Sequence, residues 1–363
     1  DVVVLSAVRS AIGGFGGSLS GMEPAELAGT VMKEAVNRSG VDPKQINYVT
    51  VGNCIPTESR FPYVARVAAI QAGLPMDSVA MAVNRLCSSG LQGIVTTSQA
   101  IMLGDCEYGV GGGVEVMSRG IYAAPAMRTG ARMGDSKMID MMVATLTDPF
   151  GAGHMGITAE NLATKWNISR EDQDAFAFHS HQKAMAAQTA GEFNSEIFPV
   201  KVAHRSMNLD KGQVDIQWRE FSKDEGPRID TSLEGLAKLK SPFAAKGSVT
   251  AGNSSQTSDG VGALILASEK AIKTFGLTPL ARFVSFAVKG VPPEIMGIGP
   301  KEAIPAALKL ADLKLQDMDW IELNEAFAAQ SLAVIRDLGL DQSKVNPLGS
   351  AIALGHPLGA TGA

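Results

Sequence analysis

The chain opens on an unbroken apolar run, Val2-Val3-Val4-Leu5, and stays apolar enough through Ala7 to predict a buried strand. Pro24 to Asn37 carries Ala25, Ala28, Val31, Met32, Ala35 and Val36 at helical spacing, with Gly40 as its stop. Ile46 to Val51 reads as a second strand and Arg66 to Gln71 as a short helix. Ala80 to Asn84 reads as a strand that runs straight into Arg85-Leu86-Cys87-Ser88-Ser89-Gly90. Leu91 to Leu103 is helical in pattern, and Tyr108 to Gly113 is a strand feeding Gly111-Gly112-Gly113. Strands alternating with helices predict a layered α/β architecture.

From about Met117 to Lys246 the pattern changes. Met and charge become frequent and strand patterns fade. Ser169 is positioned to cap a long helix through about Thr189, with Asp172 at the capping-box position. This stretch reads as an insertion of several helices. Strand character returns at Val261 to Ala267 and at Leu280 to Val288. A faint internal repeat spans it. At an offset of 272, Ala35, Val36 and Val41 fall on Ala307, Leu308 and Leu313, and Val49 and Val51 fall on Ile321 and Leu323. At an offset of 262, Val83-Asn84-Arg85-Leu86-Cys87-Ser88 falls on Val345-Asn346-Pro347-Leu348-Gly349-Ser350. The order of matches predicts two similar α/β halves with the insertion inside the first.

Composition narrows the function classes. The formal net charge of -5 leaves no basic field for phosphate neutralisation, so a nucleic-acid partner is not expected. Three cysteines cannot make a complete disulfide set and show no metal-ligand spacing, so no metal is expected and a reducing compartment is. No apolar run reaches membrane-span length. No Gly-x-Gly-x-x-Gly fingerprint or phosphate loop is present, which disfavours nucleotide chemistry.

Three residues could carry chemistry. Cys87 lies between a strand and a helix start, where the dipole and unpaired N–H groups favour a thiolate and can receive an oxyanion. A lone Cys is otherwise a small buried hydrophobe. His356 is flanked by Gly355, Pro357 and Gly359, which fix the backbone and admit a ligand; a His there can take a thiol proton. Asn324 ends the predicted strand from Trp320 to Leu323, where α/β proteins bind ligands, although it could simply cap the following helix. Cys54 and Cys106 precede no clear helix and read as structural. His179 and His181 cannot share a helix face as a metal pair. Cys, Asn and His together point to thioester or acyl-transfer chemistry.

At these motifs the chain resembles the thiolase family along its whole length. Asn84-Arg85-Leu86-Cys87-Ser88-Ser89-Gly90-Leu91-Gln92 is similar to the family's nucleophile motif, and Gly113-Val114-Glu115-Val116-Met117-Ser118 to the strand-turn that follows. Met155-Gly156-Ile157-Thr158-Ala159-Glu160-Asn161 resembles the insertion motif; Asn324-Glu325-Ala326-Phe327 and Gly355-His356-Pro357 resemble the two C-terminal catalytic motifs. The resemblance implies an α/β thiolase fold of two βαβ-type halves in five layers (αβαβα) with an inserted helical loop domain. It implies an N-terminal half over 1–117 and 247–269, a CoA-binding insertion over 118–246, and a C-terminal half over 270–363. It implies Cys87 as nucleophile, His356 as its activator, and Asn324 holding a water. His154, Met155, Arg228 and Ser255 match positions along the family's CoA groove. CoA would be a co-substrate, with no tightly bound cofactor, and a homodimer or homotetramer is expected.

Cys87-Ser88-Ser89-Gly90, Thr250-Ala251-Gly252-Asn253-Ser254-Ser255-Gln256 and the run from Val291 to Pro300 look more like degradative 3-ketoacyl-CoA thiolases than biosynthetic acetoacetyl-CoA enzymes. The family also uses a second cysteine in a Cys-x-Gly-x-Gly motif, which by resemblance would lie past Ala363 in a final helix-plus-strand unit. An acetoacetyl-CoA thiolase and a non-catalytic CoA or lipid binder are the alternatives. A ketosynthase is disfavoured because it uses a second His where Asn324 stands. An intracellular site is expected, the bacterial cytoplasm first, with the peroxisome or mitochondrial matrix as alternatives.

Overall fold

The structure, a computed structural model, describes residues 1–208 and 212–363. The first half builds one mixed sheet from β1 (Val2–Arg9), β2 (Tyr48–Gly52), β3 (Val79–Val83), β4 (Tyr108–Val116), β7 (Ser258–Ser268) and β8 (Ala281–Phe283). Its order is β8–β1–β7–β4–β2–β3, and a two-residue strand at Gly13–Gly14 pairs with β7 as the seventh member. β2 runs parallel to both β3 and β4, while β7 runs antiparallel to β1 and β4. Helix α1 (Pro24–Ser39) begins with Pro at its first position and ends at Gly40 with φ 72°, a left-handed stop that glycine takes without a Cβ penalty.

The alternation along β4 sets the layers. Val110, Val114 and Val116 enter the main core with Val31, Met32 and Ala35 of α1 and Ala65, Ala68 and Ala69 of α2 (Val64–Gln71). The intervening Gly109, Gly111 and Gly113 turn to the other face, where helix α3 (Ser89–Leu103) lies. A Cβ on Gly111 would stand 2.7 Å from Ile94 Cα, so only glycine lets α3 sit this close. α3 thereby holds its first turn, and Cys87 before it, over the strand ends.

Between β4 and β7 come α4 (Met141–Thr145), α5 (Met155–Lys165), α6 (Arg170–Ala190), the hairpin β5 (Val200–Asn208) and β6 (Gln213–Phe221), and α7 (Leu233–Ala237). None of their strands joins the large sheet. The expected cap is present: Ser169 Oγ accepts from the Asp172 N–H at 3.0 Å. After β7 follow α8 (Glu269–Phe275), α9 (Gly299–Leu310), α10 (Ala328–Leu338) and α11 (Ala351–Leu354). A second core joins Ala159 and Leu162 of α5 to Leu332, Ala333 and Ile335 of α10.

The repeat reappears in the order of the elements. α9 stands at the first offset from α1, and α11 starts at the second offset from the start of α3. The parallel β2–β3 pair has a reduced counterpart, a single parallel bridge between Ile321 and Val345. The strand expected from Trp320 to Leu323 stops there because a side chain replaces the next rung. Asn346 Oδ1 accepts from Leu323 N and its Nδ2 donates to Leu323 O, both at 2.8 Å. The strand expected over 280–288 is also shorter. Its ladder with β1 ends at the Val2–Phe283 pair, and Val284 and Val288 are exposed.

Candidate active site

Cys87 sits in the turn from β3 to α3. Leu86 before it adopts φ 47°, a left-handed conformation unusual for a bulky residue and costing about 1 kcal/mol or more. Local hydrogen bonds hold the turn. Asn84 Oδ1 accepts from Leu86 N at 3.0 Å, and Ser89 Oγ donates to Leu86 O at 2.6 Å and accepts from Arg85 N at 2.8 Å. Cys87 itself is half-buried. The helix start was expected to favour the thiolate. Burial acts the other way: it pushes the thiol up to about 11, its own backbone N–H lowers it only partly, and the Glu115 charge raises it further.

His356 follows α11 and is 3% exposed. Its N–H donates to Gln256 O and Ser258 Oγ, both at 3.1 Å. Nδ1 lies 2.6 Å from Thr361 Oγ1, and Nε2 lies 3.3 Å from Asn324 Nδ2. Burial pushes the imidazole down to about 4, so it is neutral at pH 7. Asn324 is half-buried, and its Oδ1 is a buried atom with no protein partner.

The Cys87 and His356 segments meet through backbone packing. A Cβ on Gly90, in the first turn of α3, would stand 2.9 Å from Gly359 O and 3.0 Å from Ala360 O. Leu358 joins Cys54, Ile55 and Met117 in a small apolar cluster, and Cys87, Met142 and Leu146 pack against it. Glu115 ties the same pieces together. Its buried carboxyl accepts from Asn53 Nδ2 at 2.9 Å, Cys54 N at 3.0 Å, Ile55 N at 3.1 Å and Gly359 N at 2.9 Å. Burial pushes it up to about 7 against these donors, which hold the charged form.

The four residues assigned to a CoA groove fall into two places. His154 caps α5, its Nδ1 accepting from Gly156 N at 3.0 Å, and stacks on Phe243 with ring centres 4.9 Å apart. Phe243 meets Phe327 edge-on at 6.3 Å, next to Ser255, whose N–H donates to Ala326 O at 2.9 Å. Met155 starts α5 and donates its N–H to Leu146 O at 2.8 Å, beside the Cys87 cluster. Arg228 is exposed and lines a separate cavity of about 270 Å³ with His181, Asp230, Ser232 and Gln256. Gln256 links that cavity to His356 through its carbonyl. Among the described residues no group of three or more His, Cys, Asp or Glu could hold a metal ion, and no helix is long and apolar enough to cross a membrane.

Family models of the thiolase N-terminal domain and the thiolase C-terminal domain match residues 2–270 and 277–363. The chain belongs to the thiolase family. It is 49% identical to the beta-ketothiolase BktB of Cupriavidus necator, over all of this chain and 90% of that protein. The Bacillus anthracis acetyl-CoA acetyltransferase superposes with a TM-score of 0.95 at 45% identity, covering 100% of this chain and 89% of that one. Human mitochondrial 3-ketoacyl-CoA thiolase does so with a TM-score of 0.94 at 44% identity, covering 99% and 89%, and a related structure of it is a complex with CoA. This thiolase therefore has the thiolase fold and is an acyltransferase of a family that uses CoA as substrate.

Reading residues alone missed Glu115 as a clamp, Thr361 beside His356, and Phe243 under His154. Glu115 lies inside the strand-turn motif Gly113-Val114-Glu115-Val116-Met117-Ser118, so its signal was present without its role. Phe243 and Thr361 carried no signal, because their partners lie across the fold or depend on a loop conformation.

With its thiol near 11 and its imidazole near 4, this thiolase holds Cys87 and His356 as a neutral pair at pH 7. Alkylation of Cys87 by iodoacetamide is therefore expected to accelerate about tenfold per pH unit from roughly pH 6 to 10, as the thiolate fraction grows. Peptide mass spectrometry reads this at Cys87 alone. A rate that is flat through neutral pH would mean a preformed thiolate–imidazolium pair instead.

Proposed function

We propose that this thiolase is a 3-ketoacyl-CoA thiolase (acetyl-CoA C-acyltransferase) of fatty-acid β-oxidation. His356 Nε2 takes the Cys87 proton, and the sulfur bonds to the keto carbon of a 3-ketoacyl-CoA. The bond between that carbon and the next one toward CoA breaks. Its electron pair leaves on the acetyl-CoA carbon, which takes up a proton, and the acyl group stays on Cys87 as a thioester. The thiolate of a second CoA then attacks that thioester and releases a shortened acyl-CoA and free Cys87. The Cys87 N–H receives one oxyanion; His356 with a water held by Asn324 binds the thioester oxygen. CoA would run along the 118–246 insertion past His154, Met155, Ser255 and Arg228, between an N-terminal half over 1–117 and 247–269 and a C-terminal half over 270–363.

What supports the longer-chain reading is the resemblance of Cys87-Ser88-Ser89-Gly90 and of the Thr250 to Gln256 stretch to the degradative enzymes, alongside 44% identity to human mitochondrial 3-ketoacyl-CoA thiolase. The acetyl-CoA acetyltransferase name of the Bacillus anthracis neighbour supports a short-chain alternative. Thiolysis of acetoacetyl-CoA and of a medium-chain 3-ketoacyl-CoA, compared as kcat/KM, separates them. The proposal expects the longer substrate to be at least as good. Activity confined to acetoacetyl-CoA would replace it with an acetyltransferase, and CoA binding without turnover would leave a binder.

An oligomer, a homodimer or homotetramer, is part of the proposal. β3 is an edge strand whose Val79 and Met81 are 56% and 41% exposed, and Leu91, Met102 and Leu103 of the neighbouring α3 are also exposed. An apolar open edge of this kind is covered in stable proteins, and a second copy supplies a matching one. Sedimentation equilibrium tests it; a monomer at micromolar concentration would remove it. Three unpaired cysteines support an intracellular, reducing site, the bacterial cytoplasm first.

A further inference from the structure

The imidazole of His356 can serve as a base toward Cys87 only if Nε2 carries no proton at rest. Which nitrogen is protonated depends on what the other one meets. Asn324 presents its amide Nδ2, a donor, 3.3 Å from Nε2, and a donor there requires a lone pair on the ring nitrogen. The proton then belongs on Nδ1, which lies 2.6 Å from Thr361 Oγ1. Thr361 in turn has an outlet for its own hydroxyl proton, Pro357 O at 3.2 Å, one turn back in the same loop. Each donor thus finds an acceptor, and the chain runs one way: His356 Nδ1–H to Thr361 Oγ1, Thr361 O–H to Pro357 O.

Among the described residues, the other hydrogen-bond partners of His356 are neutral. Gln256 O and Ser258 Oγ accept from the His356 backbone N–H and not from its ring, and Ser258 Oγ donates to Gln256 O. Among the described residues, no carboxylate is hydrogen-bonded to the ring as an acidic residue is in a Ser-His-Asp triad. Among the described residues, the Thr361 hydroxyl is the side-chain group hydrogen-bonded to Nδ1.

We propose that Thr361 is the positioning residue of this active site: its hydroxyl fixes His356 in the Nδ1–H tautomer, keeps Nε2 bare to accept the Cys87 proton, and holds the imidazolium that results. The catalytic part of this assignment rests on the acyl-transfer reading above; the tautomer does not. Loss of the hydroxyl would leave a buried N–H without an acceptor and let the Nε2–H tautomer compete, in which Nε2 cannot take a proton.

The test uses the whole chain and two substitutions of similar size. Thr361→Val keeps the shape and removes the acceptor; Thr361→Ser restores it. Acetyl transfer from acetyl-CoA to Cys87, followed by intact mass, reads the step in which His356 acts on the thiol. The expected result is an acylation rate lowered about 10- to 100-fold in Thr361→Val, at an unchanged half-saturating acetyl-CoA concentration, and restored to within about threefold in Thr361→Ser. In parallel, long-range ¹H–¹⁵N spectra of histidine-labelled protein report the tautomer, with His356→Gln used to assign the signal. The wild type is expected as Nδ1–H and Thr361→Val as a mixture.

Equal acylation rates for wild type and Thr361→Val would overturn the assignment, as would an Nε2–H wild type. A purely structural role would lower the melting temperature of Thr361→Val without moving the tautomer, and that outcome also overturns it. A wild type that is never acylated would sink the acyl-transfer reading, while the substrate-free spectra would still decide the Thr361 assignment.

Discussion

Cys87→Ala is expected to lower acyl transfer by about 10⁴-fold or more and to abolish the covalent acyl-enzyme. The size follows from the site. Cys54, the nearest other thiol in the cluster, is buried, and its Sγ is engaged by Leu86 O at 3.0 Å and Ser89 Oγ at 3.3 Å. Burial and the neighbouring Glu115 charge push that thiol up strongly, so it cannot substitute as a nucleophile. Cys106 is buried in a different apolar cluster, with Ile94 and Ile101 of α3. Intact mass after incubation with acetyl-CoA checks the adduct, and calorimetry with CoA checks that the groove survives. The fold should tolerate the change, since Cys87 is only half-buried and Ser89, not Cys87, holds the turn. An alanine variant that still carries an acyl group would place the nucleophile elsewhere.

Gly113→Ala is expected to destabilise the protein by about 3–5 kcal/mol. An added Cβ would fall on the Gly359 carbonyl oxygen, with Gly90 Cα at 2.8 Å and the Gly359 carbonyl carbon at 2.9 Å. All three neighbours are backbone, from the first turn of α3 and the loop that carries His356, so no side chain can swing aside. The strand cannot yield either, since both its neighbours are paired to it along the ladder. The damage therefore falls on the contact that joins the Cys87 and His356 segments. Urea unfolding measures the loss, with Gly21→Ala as the control, because a Cβ on Gly21 meets nothing within 4 Å. If Gly113→Ala unfolds at the same midpoint as that control, the two segments are not held by this packing.

Much of the fold was legible because its signals are local. β1, α1, α3, β4 and α6 are each set by a hydrophobic period or a cap within the segment, and each forms close to where its pattern predicts. The repeat was legible for the same reason, as two copies of one local pattern. The strands expected at 320–323 and 280–288 were less legible. A strand needs a partner, and there Asn346 supplies a side-chain rung and β1 pairs only up to Phe283.

The same division runs through the site. Cys87, Asn324 and His356 stand out in the sequence because Gly, Pro and strand ends punctuate them, and the structure brings Asn324 and His356 into contact while packing the Cys87 turn against the loop of His356. What each group does at neutral pH was not legible. The helix start pointed to a thiolate at Cys87, yet burial outweighs it and pushes the thiol up. The tautomer of His356 hangs on Asn324 and Thr361, and the clamp of Glu115 on Gly359 crosses 244 residues. The sequence by itself determined the α/β alternation, the doubled architecture and the kinds of reactive group present, because these follow from covalent order and short-range periodicity. Only the tertiary structure decided the protonation and orientation of those groups, because desolvation and hydrogen-bond partnership are fixed by neighbours that the chain brings together from far apart.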